Sequence, residues 1–221
     1  MSRRRRILPG ALQGRFGQPP APTSPPTRRH AINAVIDTIV QRRSVRFFKP
    51  DALPRDALNE ILRAAQSAAS GAGTQLWRFV VVDDAAFRTK LAALALPRYQ
   101  KWMERAPGFL KDVRQQIDAV VKDPIYYNAP AVVFVIGSGM TADFDCSMVC
   151  GNMMVAAKSL GIGSCWVYFG QLPVKEPEVS AALELKDGEK VYGPILLGYP
   201  QEGLPPAAPR KAPIVKWISA G

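Results

Sequence analysis

A chain of 221 residues with 48% hydrophobic and 21% charged residues has the composition of a globular protein and the length of one domain with, at most, an extension. Its net charge of +11 points toward a polyanion, yet seven arginines and no acid fall within residues 1–30, which leaves +4 for the rest of the chain. Three cysteines fit a reducing compartment better than a disulfide framework, and the longest apolar run, residues 129–137, is far short of the ~18 needed to span a bilayer.

Residues 1–30 hold six prolines among glycine, serine and threonine, which bury too little apolar surface to fold and are expected as a disordered Arg/Pro-rich leader. Ile7–Leu12 is broken by Pro9 and Gly10, so neither a secretory nor a twin-arginine export signal is expected, and cytoplasm is the default. Arg3 to Arg6 can hold nucleic acid or anionic lipid non-specifically. A leader without a dedicated partner is preferred, with no specific nucleic acid and no membrane.

Order is expected from residue 31 to residue 221. Ile32, Val35, Ile36, Ile39 and Val40 follow the i, i+3, i+4 pattern of an amphipathic helix, read as a buried element. Directly after it, Arg42-Arg43-Ser44-Val45-Arg46 crowds three arginines and a serine into five positions. In an extended segment Arg42, Ser44 and Arg46 share one side and Arg43 and Val45 the other. Guanidiniums and a hydroxyl on one side suit a phosphate; a solvated charge run at a helix end is the alternative. A second helix starts at Pro54 and runs through Leu58, Ile61, Leu62 and Ala65. A small-residue loop, 67–74, leads to a strand at Trp77–Val82, with Arg78 read as a strand-edge charge.

Helix is expected again over Asp84–Ala95, and over 97–123 with a break at Pro107-Gly108. Ala131–Ile136 reads as a central strand covered on both faces. Phe144–Leu160 is a helix with little polar face, stopped by Gly161, and Asp145 in its first turn suits the helix dipole. Such a helix needs wrapping on every side, which predicts packing against its own copy in a dimer. A strand at Ser164–Phe169, a short helix near Pro177–Leu183 and a strand at Val191–Gly198 follow, then a proline-rich arm expected to embrace the partner. The class is α+β, or α/β, with helices over a central sheet.

His30 is the sole histidine and lies at the edge of the leader, so histidine-based nucleophilic catalysis lacks its base. Cys146 and Cys150 share a helical face, but buried thiols acting as small hydrophobes are a better reading than a metal site. Walker-type and G-x-G-x-x-G loops are missing. What remains is a dispersed anion-binding set: Arg42/Ser44/Arg46, the loop at 70–74, and Arg210-Lys211. It suggests an enzyme whose chemistry is carried by a phosphate-bearing cofactor.

Arg42-Arg43-Ser44-Val45-Arg46-Phe47 and Ser70-Gly71-Ala72-Gly73-Thr74-Gln75-Leu76-Trp77-Arg78-Phe79 resemble the two N-terminal motifs of the FMN-dependent nitroreductase family. Ala129-Pro130-Ala131-Val132-Val133, Asp145-Cys146 with Asn152-Met153-Met154, Leu160-Gly161-Ile162-Gly163-Ser164-Cys165-Trp166, and Leu197-Gly198-Tyr199-Pro200 with Arg210-Lys211 are similar to its later blocks, in order over residues 32–217. The resemblance implies an α+β nitroreductase-like fold with a mostly antiparallel sheet, an intertwined homodimer, and FMN between the subunits. It implies Arg42, Arg43 and Ser44 at the phosphate and ribityl chain, closed by Arg210 and Lys211. Ser70, Gly71, Gly73 and Gln75 would reach the other subunit's cofactor, and Cys165, Trp166 and Tyr168 would edge the ring. Arg46 would face the flavin N1/O2 edge as electrostatic support, with no protein nucleophile.

The implied reaction takes hydride from NADH or NADPH and reduces a small oxidant such as a nitroaromatic, quinone or activated alkene by a ping-pong scheme. Specialised branches (reductive dehalogenation, flavin destruction, peptide or ring dehydrogenation) and a non-enzymatic flavin- or nucleotide-binding module are the alternatives. The loop departs from the family pattern in three places: Ala69 stands for a proline, Gly73 for an asparagine and Leu76 for a second proline. By the resemblance, loss of that asparagine either removes a contact to the ring, altering flavin affinity or redox potential, or widens the pocket for a bulky acceptor. Trp102, Tyr99 and Phe109 lie in the stretch that in this family often roofs the substrate pocket, and the alternative there is an ordinary surface helix.

Overall fold

The computed structural model describes residues 33–118, 121–207 and 209–219; the leader and Ile32 lie outside them. The compact unit is Ala34–Gly221. Its centre is a four-stranded, wholly antiparallel sheet. In chain order the strands are β1 (Trp77–Val82), β2 (Ala131–Gly137), β3 (Gly163–Trp166) and β4 (Lys190–Gly198), arranged β1-β2-β4-β3. The helices are α1 (Ala34–Gln41), α2 (Arg55–Gln66), α3 (Ala85–Glu104), α4 (Gly108–Asp118), α5 (Ala142–Ser159) and α6 (Pro177–Ala182). None of the described helices is long and apolar enough to cross a membrane.

Strand β2 shows why the sheet sits in the middle. Ala131, Val133 and Val135 pack with Leu58 and Ile61 of α2 and Val149, Cys150 and Met153 of α5. Alternate residues Val132, Phe134 and Ile136 pack with Leu91, Ala95 and Tyr99 of α3 and Val179 of α6. A continuous β-branched run is what a strand with two covered faces requires.

Helix α5 ends in a Schellman turn: Gly161 adopts φ +72°, its N–H donates to Lys158 O, and Ile162 N–H donates to Ala157 O at 2.9 Å. That turn delivers β3 to the free side of β4. Residues 44–49 are then stitched along the same corner. Val45 N–H donates to Ser164 O at 2.9 Å, Lys49 N–H to Tyr199 O at 2.8 Å, and Gln201 N–H to Phe47 O at 3.0 Å. Val45 itself is 2% exposed. It fills the notch above Gly163, where a Cβ would lie 2.8 Å from Val45 Cγ2.

Four sequence expectations are corrected. The apolar stripe of α1 is not buried: Val35, Ile36, Ile39 and Val40 are all exposed, because α2/α5 and α3/α6 already occupy the two faces of the sheet. Helix α3 continues through Pro97 to Glu104, since Leu91, Ala95 and Tyr99 form one buried i, i+4, i+8 row and packing of that row outweighs the helix cost of proline. Strand β3 stops at Trp166 and the chain turns through Tyr168–Gln171. The turn is fixed where Gly170 meets Pro194, a contact in which a Cβ would approach to 2.5 Å, and where Tyr126 donates its hydroxyl to Gly170 O at 2.8 Å.

The fourth correction concerns Arg78, which is no plain edge charge. It donates to both carboxylate oxygens of Glu189 at 2.9 and 2.7 Å and to the carbonyls of Leu183 and Glu184, closing α6 over the sheet. This bonding holds the Glu189 carboxyl down at about 2, from an ordinary 4.5. Glu189 therefore stabilises the fold fully above pH 4.5 and loses that contribution as pH falls toward 2. Urea unfolding across pH should show Glu189→Gln less stable than wild type at pH 7, with the difference closing between pH 4.5 and 2.

The notch gives a second outcome. Gly163→Ala should lower unfolding stability by about 1–3 kcal/mol through overpacking. Adding Val45→Ala should recover part of it, because the two positions are in direct contact.

Candidate functional site

The arginine segment leaves α1 with its side chains alternating as an extended chain dictates. Arg43 folds back, its Nη1 donating to Val40 O at 2.8 Å and Arg42 O at 2.9 Å, so it caps the helix end. Val45 goes into the core. Arg42, Ser44 and Arg46 take the other side and converge on Cys165 of β3. The Cys165 thiol is pushed up by burial and pulled back by the positive charges of Arg46, Arg114 and Arg42 and by a hydrogen bond with Ser44. Every one of those charges is positive. Beside them Ser164 Oγ is buried and has no hydrogen-bond partner among the described residues.

Arg114 of α4 is the cation that the sequence did not flag. Its guanidinium donates to Tyr99 Oη at 2.9 Å, Tyr127 Oη at 2.5 Å and the Pro124 carbonyl, and pairs with Asp118 at 3.4 Å. It also lies over the Tyr99, Tyr127 and Phe169 rings at 5.1, 5.8 and 5.8 Å. Nothing in its local spacing marks it, since all but one of these partners are ten or more residues away. Phe169 in turn takes edge contacts from Tyr99, Trp102 and Tyr168. The 97–118 stretch therefore packs onto the turn that carries Tyr168, while Phe109 stays exposed. Trp166 and Tyr168 both keep exposed ring surface, at 36% and 69%.

The second group, Ser70, Gly71, Gly73 and Gln75, lies on the loop between α2 and β1. Gly71–Gly73 forms a single helical turn, and two residues other than glycine hold left-handed backbone, Ala72 at φ 51° and Gln75 at φ 50°. Ser70 Oγ accepts from Gln75 N–H at 3.2 Å, which leaves its own proton to donate. Gln75 Oε1 accepts from Gln66, whose other amide atom accepts from the Trp77 indole. Gly73, at φ +69°, has no atom within 4 Å of where a Cβ would stand, so the place of the family asparagine is open space.

Asp145 is not simply a residue for the helix dipole. It is 5% exposed, and its carboxylate accepts from Gly71 N–H at 3.2 and 3.3 Å and from the Thr141 hydroxyl at 2.8 Å. Cys146 and Cys150 are buried, with thiols pushed up to about 11 and about 12 mainly by burial. No cluster of three or more metal-ligating side chains occurs among the described residues.

The two groups do not meet within one chain. The arginine segment joins the β3 edge beside Ser164, and the loop enters β1 at the opposite edge. Three strand spacings separate those edges, roughly 14 Å. The ends differ as well: Trp77 is opposite Gly137 and then Lys190, whereas Gly163 is opposite Gly198. Arg210 and Lys211 stand exposed on an arm without helix or strand, and neither forms a hydrogen bond or ion pair among the described residues.

The Nitroreductase family profile matches residues 39–199. A nitroreductase with bound FMN from Bacteroides fragilis is 32% identical, with a TM-score of 0.68 over 85% of this chain and 100% of that one. The NADPH-flavin oxidoreductase of Vibrio harveyi is 28% identical over 182 residues, 81% of this chain and 70% of that protein. An iodotyrosine deiodinase from Thermotoga neapolitana is 25% identical over 187 residues, 82% and 96% of the two chains. With a match over that length, the chain belongs to the nitroreductase family.

Proposed function

We propose that this protein is an FMN-dependent oxidoreductase that takes hydride from NADH or NADPH and passes it to a small oxidant, working as a homodimer with its sites between subunits. The observation that carries the proposal is the placing of Arg42, Ser44 and Arg46 on the side of an extended segment opposite buried Val45, with that segment held against β3 at Ser164. The donor set fits FMN: guanidiniums for a phosphate dianion, and hydroxyls, including the unpartnered buried Ser164 Oγ, for the polyol. When bound, FMN supplies two-electron redox chemistry at N5. Arg46 would supply a fixed cation that favours the negative charge of the reduced flavin. Arg43, committed to the end of α1, serves the phosphate through position and charge. Cys165, Trp166 and Tyr168 would border its ring, and Arg210 and Lys211 would reach its phosphate from the arm.

A dimer solves the separation of the two half-sites. The outward face of α5 presents Phe144 and Met148, exposed at 73% and 43%, with open space over Gly151. Two copies packed antiparallel along this helix set the N-terminal end of one beside the C-terminal end of the other. The Ser70–Gln75 loop is fastened to the first end and the arginine segment lies near the second, so one subunit's loop reaches the other's arginines. The arm carries Ile214, Trp217 and Ile218 at 103%, 85% and 88% exposed, a surface that a second copy covers. One cleft serving donor and acceptor requires the first product to leave before the oxidant enters, which is ping-pong turnover.

The purified protein should be yellow, release FMN on denaturation, and bleach in stopped flow with NADH or NADPH. A protein that neither carries nor takes up FMN overturns the reading. Arg46→Gln should bind FMN and lower its reduction potential by about 30–60 mV, the loss of one charge-assisted contact. An acceptor panel holding nitroaromatics, quinones and a halogenated tyrosine separates general reduction from dehalogenation.

In sedimentation, wild type should run as a dimer. Trp217→Ala with Ile218→Ala should shift dissociation to concentrations at least about tenfold higher. A monomeric wild type would remove the shared site.

A further inference from the structure

We infer that Asp145 is a positioning residue that presets the Ser70–Gln75 loop for the cofactor, an assignment resting on the FMN reading above. The loop holds Ala72 and Gln75 in left-handed backbone, which costs of order a kcal/mol or more at each unless the surroundings enforce it. Enforcement comes from two sides. At the back, Gln66 holds Gln75 through a 2.9 Å side-chain bond and is itself held by the Trp77 indole. At the front, both Asp145 oxygens take the Gly71 N–H, and Oδ2 also takes the Thr141 hydroxyl.

The fit at the front is close. A Cβ on Gly71 would lie 2.8 Å from Thr141 Oγ1 and 2.9 Å from its Cγ2, so the loop backbone rests directly on the start of α5. Thr141 stands at the N-cap of α5 yet makes no side-chain cap bond, because its hydroxyl is given to Asp145. A capping interaction of ordinary value is thus exchanged for one that orients the carboxylate toward Gly71. The loop's own bonds, Ser70 Oγ to Gln75 N–H and Thr74 Oγ1 to Gly71 O, shape it but do not tie it to the domain. Asp145 does that, from the end of the helix whose outer face meets the partner in the proposed dimer. The carboxylate accordingly fixes where Ser70 stands relative to the other subunit's arginines.

The test compares wild type, Asp145→Ala, Asp145→Asn and Thr141→Val. FMN affinity is read by flavin-fluorescence titration and Gly71 N–H protection by amide exchange in the apoprotein. Asp145→Ala should weaken FMN binding about tenfold or more and release the Gly71 amide to fast exchange, the loss of charge-assisted bonds. Asp145→Asn retains an acceptor for Gly71 and should recover affinity to within about threefold of wild type. A general loss of packing would not be rescued in that way. If wild type binds FMN and Asp145→Ala binds within about twofold of it, or leaves Gly71 protected, the assignment is overturned. If wild type binds no FMN, the functional reading fails instead, and the exchange result still reports the clamp. Should Asp145→Ala not fold, Thr141→Val decides: it removes the orienting hydroxyl at constant shape, and unchanged FMN affinity overturns the assignment.

Discussion

The stitching of residues 44–49 onto the β3 corner is the constraint on which the rest of this molecule depends. Val45 N–H donating to Ser164 at one end, and Lys49 N–H donating to Tyr199 with Gln201 N–H donating to Phe47 at the other, leave the segment no freedom to slide. A one-residue slip of an extended segment exchanges its two faces. Here it would put Arg46 in the notch above Gly163 and Val45 beside Cys165. The packing of Val45 against Gly163, a contact with no polar component, thereby decides where positive charge is displayed. Burying an arginine in an apolar notch is costly enough to make the register unique.

From that register follows the electrostatics of the candidate site. Arg42, Arg46 and Arg114 all act on the Cys165 thiol as positive charge, pulling back the rise that burial gives it. Arg114 is neutralised by its ion pair with Asp118 and shielded by aromatic faces. Arg42 and Arg46 carry no such partner among the described residues, and their charge is available to an anion. The distinction between a cation that builds the fold and one that waits for a ligand thus rests on bonding partners, not on residue type. Arg78 falls with Arg114 on the structural side, while Arg43 bonds the end of α1 and keeps its charge beside the segment.

Much of this was legible in the chain because it is periodic. The period-2 alternation around buried Val45, the two-faced run of β2, the helix read over Phe144–Leu160 and its glycine stop each follow from local spacing. What was not legible depends on distant partners. Asp145 reads as a dipole residue until Gly71, 74 positions away, is brought to it. Arg78 reads as an edge charge until Glu189, 111 positions on, closes over it. The stop of β3 at Trp166 is set by Gly170 against Pro194, and the passage of α3 through Pro97 by a buried row ending in Tyr99. The α1 stripe has a helical period, but periodicity cannot tell a stripe that meets the sheet from one that does not.

The Arg114 knot fixes how α3 and α4 sit against the rest of the domain. The Tyr99 hydroxyl, pushed up to about 12 chiefly by burial and by its bond to Asp118, stays neutral across the physiological range. It donates to Asp118 and accepts from Arg114 at the same time. Tyr99, Arg114 and Asp118 Oδ2 thus use each other's complement, and removing any one of the three groups strands a buried partner. Helices α3 and α4 are joined through it to the Pro124–Tyr127 lead-in of β2, and through Phe169 to the turn bearing Tyr168. The 97–118 segment beside Trp166 and Tyr168 is therefore no loosely hinged cover. It is a fixed wall, with Trp102 and Tyr168 as its exposed aromatic surface, while Gly73 leaves open space on the loop before β1.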